Sequence, residues 1–270
     1  MATVAQIGGD GALAHLERYA GAAEVGVGQH LLDSWEYFDV AAYARTVLPK
    51  LPLGELIMHL SHPGQWAYAT GLDQIRWVAV EYPIADLTRM AELPPLRALW
   101  LAAVRGEADL SLLGIHPDLA ILSLSGRGRL HRIEVLREFA RLSILTLRFR
   151  DLPPLAAVPL PSKLRHLRLG ELPADYDVGP LSGYDRLRRL TLAGRGSPRG
   201  LDDGALLAQL RELELTGYDL RDWAPLRAGV ADLSLTVVEC VLPPGLEPRP
   251  GLEAWRCVTQ AGRPHPLNEP

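Results

Sequence analysis

Apolar residues recur along most of the chain in one frame, L-x-x-L-x-L. The clear members are Leu96/Leu99/Leu101, Leu119/Leu122/Leu124, Leu142/Leu145/Leu147, Leu164/Leu167/Leu169, Leu187/Leu190/Leu192 and Leu210/Leu213/Leu215. Val230/Leu233/Leu235 follows with one conservative change. Weaker members, Leu53/Leu56/Met58, Ile75/Val78/Val80 and Leu252/Trp255/Cys257, extend both ends. Successive frames start 22, 21, 23, 23, 22, 23, 23, 20 and 22 residues apart. In a strand, alternate side chains share a face. The last two apolar residues of each frame therefore point inward, and the residues between them point outward. One such strand cannot bury its apolar side alone, but stacked coils bury it in a continuous core beneath a parallel sheet. Each coil leaves about 15 residues for the return path, enough for a turn and a short helix.

The return segments fit that reading. Asp86-Leu87, Asp109-Leu110, Glu134-Val135, Asp177-Val178, Asp202 and Asp222-Trp223 set an acid ahead of an apolar residue or turn, a pattern that caps a 3₁₀ or α turn. Pro94, Pro117, Pro153 and Pro225 stop any helix from growing. Residues 1–52 carry no frame. Helical spacing at Leu13, Leu16 and Tyr19/Ala20 predicts a helix over 11–24, and Val40, Tyr43 and Val47 predict another over 39–51, with Asp39 as N-cap and Pro49 as stop. LLDSWEYF (31–38) lies between them. The division is an N-terminal helical cap or linker over 1–52, about ten coils over 53–258, and a polar, proline-rich tail over 259–270 that reads as disordered.

This pattern resembles the leucine-rich-repeat family across roughly 53–258. The resemblance implies an α/β solenoid with a curved parallel sheet and short helical or 3₁₀ segments on its convex side. One feature departs from the family, whose asparagine sits three residues after the last leucine and satisfies the turn's backbone. Here those positions hold Ser61, Pro83, Val104, Arg127, Arg150, Leu172, Arg195, Tyr218 and Val238. The turn backbone must then bond to water, to itself or to neighbouring coils, which predicts a less regular solenoid with mobile turns. The run LLDSWEYFDVAAYARTVLPKLPLGEL, followed by arginine-rich repeats, is similar in style to the C-terminal part of bacterial NACHT and related STAND NTPases. That resemblance implies the ligand-sensing part of a defence switch, with an NTPase domain upstream. The sequence itself holds no G-x-x-x-x-G-K-[ST].

Charge is near balance, with 28 basic and 32 acidic residues, so nothing calls for nucleic acid or an anionic membrane. Two cysteines, Cys240 and Cys257, suit a reducing compartment and pack as small apolar residues. The start lacks a basic region followed by an apolar core, and no apolar run reaches the roughly 18 residues a membrane span needs. The expectation is a soluble cytoplasmic protein with no membrane partner.

Candidate chemistry is sparse. GRGRL (126–130) and GRGSPRG (194–200) read as turns rather than phosphate loops. His59 and His62 lack a convincing third ligand. No nucleophile, acid or base constellation stands out, so neither catalysis nor a cofactor is expected. Recognition in repeat proteins uses the concave sheet face, and the frame lists its residues. Trp77, Trp100, Ile121 and Ile144 make an apolar zone. Arg148, His166, Arg168 and Arg189 make a basic zone, and Glu212, Glu214 and Asp232 an acidic one. Tryptophan and arginine are typical hot-spot residues. The leading reading is a non-catalytic protein-recognition module. The alternatives are an enzyme with its site in the N-terminal region and a nucleic-acid binder using the central arginines, which the acidic coils beside them disfavour. A further alternative covers the tryptophans with the N-terminal helices.

Overall fold

The computed structural model describes residues 10–21, 23–228, 233–244 and 254–256. The chain packs as two compact units, Met1–His131 and Arg132–Pro270.

In the first unit, β1 (Ile57–Leu60), β2 (Trp77–Val80), β3 (Ala98–Val104) and β5 (Ile121–Gly126) lie side by side, parallel and in that order. A second, two-stranded parallel pair, β4 (Glu107–Asp109) with β6 (Arg129–His131), forms where the coils turn back. In the second unit, β7 (Ile144–Arg148), β8 (His166–Leu172), β9 (Arg189–Gly194), β10 (Glu212–Thr216), β11 (Ser234–Val238) and β12 (Ala254–Arg256) follow one another, again parallel. The return paths are short 3₁₀ turns such as Thr88–Glu92, Leu110–Ile115 and Gly179–Gly183, and the last two described are the short helices Gly204–Gln209 and Ala224–Ala228. The frame's inward residues form the core: Leu99, Leu101, Leu122 and Leu124 in the first unit, and Leu145, Leu190, Leu213 and Leu215 in the second, are each at most 1% exposed. Both units have the leucine-rich-repeat fold.

Acidic caps open several turns. Asp86 accepts from Thr88 N, Asp109 from Ser111 N and Asp177 from Gly179 N. In two coils the acid is not the expected one. Asp203, rather than Asp202, accepts from Ala205 N, and Asp219, rather than Asp222, accepts from Arg221 N. In each of these caps the carboxylate stands two residues before the N–H it binds. Glu134 instead takes the Nε–H of Arg132 at 2.7 Å.

The register corrects the frame at both ends. Met58 pairs with Val78 and Leu60 with Val80, so the first coil uses Met58/Leu60, two residues later than Leu56/Met58. Leu235 and Val237 stand opposite Leu213 and Leu215, again two residues later than expected. Trp255 then pairs with Val237. Val230, Asp232, Leu252, Cys257 and the 259–270 tail lie outside the described residues.

The turns manage without an asparagine ladder because their backbones reach the next coil. Arg105 N donates to Ile84 O, Arg127 N to Val104 O, Leu220 N to Val241 O, and Val241 N to Tyr218 O. At the asparagine positions, Val104, Leu172 and Tyr218 turn inward and are buried. The ladder is irregular where two of these inward residues enter, with register shifts between Leu101 and Val104 and between Leu169 and Leu172.

The N-terminal segment forms α1 (Asp10–Ala20), α2 (Val25–Asp33) and α3 (Val40–Thr46). Asp39 caps α3 by accepting from Ala42 N, as its position suggests. Helix α2 has no strong sequence signal, since Gly26 and Gly28 disfavour it. Packing supplies the reason for Gly28: a Cβ there would sit 3.3 Å from Leu56 Cδ1 and 3.5 Å from Pro52. The helix ties itself to the outer edge of β1, where Gln29 Nε2 donates to Ile57 O and Ile57 N donates to Gln29 Oε1, each at 2.9 Å. One side chain thus occupies the backbone groups that an absent neighbouring strand would take, which protects an otherwise open edge.

Candidate functional site

The outward face of the first unit is built around two tryptophans. Parallel pairing sets Trp77 of β2 opposite Ala98 of β3, and Trp100 of β3 opposite Ala79 of β2. Large and small residues therefore alternate like the squares of a checkerboard. The indoles lean over the alanines and stack on each other, with centroids 6.3 Å apart and planes 22° apart. Ala98 is fully covered and Ala79 nearly so, while both tryptophans stay partly exposed. Ile57 beside Trp77, and Ile121 beside Ala98, extend the apolar area. The N-terminal helices engage the edge of β1 and leave both indoles reachable.

The neighbouring row ends in polar chemistry. His59 stands opposite Ala79, and its Nδ1 lies 2.8 Å from Glu81 Oε1. These two line a cavity of about 240 Å³ together with Leu32, Asp33, Glu36, Ser61 and Gln65. Gln65 is almost completely buried, and its Oε1 accepts from Ser61 N and His62 N. The sequence reading missed this cavity. Its lining comes from both sides of the cap–coil junction, and His59 joins the row of Ala79 and Trp100 only because the first coil is shifted by two residues. No group of three or more metal-ligating side chains occurs among the described residues.

The outward face of the second unit carries charge, and its pairing revises the simple picture of zones. Arg189 of β9 stands opposite Glu212 of β10, and the two form an ion pair. The basic and acidic zones therefore neutralise each other where they meet. His166 is held below the ordinary histidine range, first by partial burial and then by the Arg189 charge. Two exposed arginines are left. Arg148 lies flat over β8: it is opposite Gly170, where a Cβ would come within 2.9 Å of its Cγ. Arg168 sits two residues before Gly170 on the same strand. Among the described residues no side chain pairs with either arginine. Ile144 stands opposite His166. On the acidic side, Glu214 lies opposite Thr191 and Thr236, and Ser234 rather than Asp232 stands opposite Glu212. Asp232 itself is outside the described residues.

No family model and no curated protein matches this sequence. Among solved structures the chain is similar to an internalin (InlF) from Listeria monocytogenes, with 18% identity over 80% of this chain and 68% of that one, and a TM-score of 0.49. The fold assignment rests on the strands and registers above. No helix among the described residues is long and apolar enough to cross a membrane.

Proposed function

We propose that the chain is a non-catalytic recognition module that binds a protein partner through its sheet faces. The observation that supports this most is the stacked pair of Trp77 and Trp100, partly exposed on a rigid strand scaffold. Monomeric proteins seldom leave a contiguous aromatic patch open unless something docks there, and tryptophans are enriched among residues that dominate binding energy. Trp100→Ala should weaken partner binding by roughly 1–3 kcal/mol with folding preserved. Unchanged affinity in both Trp77→Ala and Trp100→Ala refutes the reading.

Similarity to the repeat segment of NACHT and STAND NTPases supports a finer version: a cytoplasmic ligand sensor in a bacterial defence switch. An NTPase encoded in the same reading frame upstream is the observation that tests it.

One feature favours a second reading. The His59–Glu81 pair borders a cavity with Asp33, Glu36 and Ser61 around it, a set of groups that suits general acid–base work. An enzyme reading requires turnover of some substrate that His59→Ala abolishes. Retention of that turnover in the variant removes the cavity from consideration.

A further inference from the structure

The charges left over on the second unit's face are arranged along one row. Across β7 to β11 that row reads Thr146, Arg168, Thr191, Glu214, Thr236. Arg168 and Glu214 carry its only charges. Among the described residues neither has an ion-pair partner. Thr191, between them, is only 7% exposed. In the adjacent row the charges of Arg189 and Glu212 satisfy each other. Arg148 reinforces the cationic end, because Gly170 lets it lie across β8 on the side of the sheet that carries Arg168.

Strands in a sheet are about 4.8 Å apart, so β8 and β10 place the Cα atoms of Arg168 and Glu214 about 10 Å from each other. Like charges drawn together on neighbouring strands are destabilising without a counter-charge. The Gly170 gap, which lets Arg148 lie over the strand that carries Arg168 and on the same side of the sheet, thus prepares a place for an anionic group. The anion Glu214 limits what that group belongs to. A nucleic acid brings phosphates at every step and meets Glu214 with repulsion, and two arginines offer it little compensation. A segment with one acidic and one basic residue about 10 Å apart satisfies both ends.

We infer that the second unit's sheet face binds a mixed-charge protein segment, its carboxylate over Arg148 and Arg168 and its cation over Glu214. This rests on the proposed recognition role but uses a different unit from the tryptophan pair, so the two can fail separately. A polyproline-II helix rises about 3.1 Å per residue with three residues per turn, so residues i and i+3 share a face about 9 Å apart.

The probe is therefore the capped peptide Pro-Pro-Glu-Pro-Pro-Arg-Pro-Pro, titrated into the whole chain by calorimetry or NMR. Its controls are the same peptide with glutamate at both charged places and a single-stranded oligothymidine. The mixed-charge peptide should bind best, and Arg168→Gln and Glu214→Gln should each weaken it at least fivefold. Gly170→Ala, which displaces Arg148 without altering any charge, should weaken it too, while Trp100→Ala should leave it unchanged. Circular dichroism of each variant checks folding. Tighter binding of the all-acidic peptide or of oligothymidine overturns the proposal, as does no binding of the mixed-charge peptide. Any of these results leaves the tryptophan reading standing.

Discussion

Trp77 and Trp100 stack diagonally across β2 and β3 because the residues opposite them are Ala98 and Ala79. The aromatic patch is therefore a property of four positions rather than two. Ala98 is completely buried beneath it. Ala98→Leu inserts volume where none is free, and such overpacking costs about 1–3 kcal/mol. Urea denaturation should show that loss, and near-UV circular dichroism should show a changed tryptophan signal. A variant with wild-type stability and spectrum contradicts the packing described.

His116 gives the fold an acid-sensitive point. The ring is fully buried and its Nδ1 accepts from Leu96 N at 3.3 Å; the Met90 backbone favours the charged ring, but by less than burial disfavours it. Burial drives its pKa down from 6.5 to about 4. The unfolded chain thus binds a proton below pH 6.5 that the folded chain refuses until about pH 4. The stability this neutral ring contributes is present above pH 6.5 and is lost as pH falls through that window. The loss amounts to about 3 kcal/mol. His116→Leu should be less stable at pH 8 by about 1–3 kcal/mol, because Leu96 N loses its acceptor. The gap between the two proteins should close as pH falls from 6.5 to 4. A constant gap across that range refutes the assignment.

Close backbone contact between coils replaces the missing asparagines, and glycine makes it possible. A Cβ on Gly126 would lie 2.0 Å from Val104 O, and one on Gly128 would lie 2.1 Å from Gly106 O. Either Gly126→Ala or Gly128→Ala must pry neighbouring coils apart. Each should cost upwards of about 2 kcal/mol, well beyond an ordinary surface change. Thermal denaturation measures it, and a shift within about 0.5 kcal/mol of wild type rules the contact out.

The Arg189–Glu212 pair should matter little for stability. Both side chains are nearly half exposed, at 47% and 48%, and exposed pairs are worth about 0–1 kcal/mol. A double-mutant cycle should return a coupling in that range, shrinking as salt is added. A coupling above about 2 kcal/mol contradicts the screened, open face.

Much of this was legible in the sequence for a simple physical reason. Leucines at fixed intervals have one way to share a core, so strands β2, β3 and β5 and strands β7 to β10 lie in the register the frame gives. The ends were misread by two residues because apolar alternation continues there. Leu56, Met58 and Leu60 present two frames with the same inward face, as do Leu233, Leu235 and Val237. A slip of two residues keeps every side chain on its side of the sheet, so pattern alone cannot choose. Helix α2 was hidden by its glycines and is held by contacts from Pro52 and Leu56, far along the chain. The face residues were readable as outward positions. Their partnerships were not: that Arg189 is neutralised while Arg168 is left over depends on which residues the register sets side by side.

Whether the tryptophan face meets a protein in the cell is decided by site-specific photo-crosslinking in the cells that encode the protein. A benzophenone amino acid replaces Trp100 on the sheet face in one version. In the other it replaces Ile115, which is 44% exposed and apolar but sits on a return turn. A discrete protein adduct should form from position 100 and none from position 115. An adduct from position 115 with none from position 100 contradicts it.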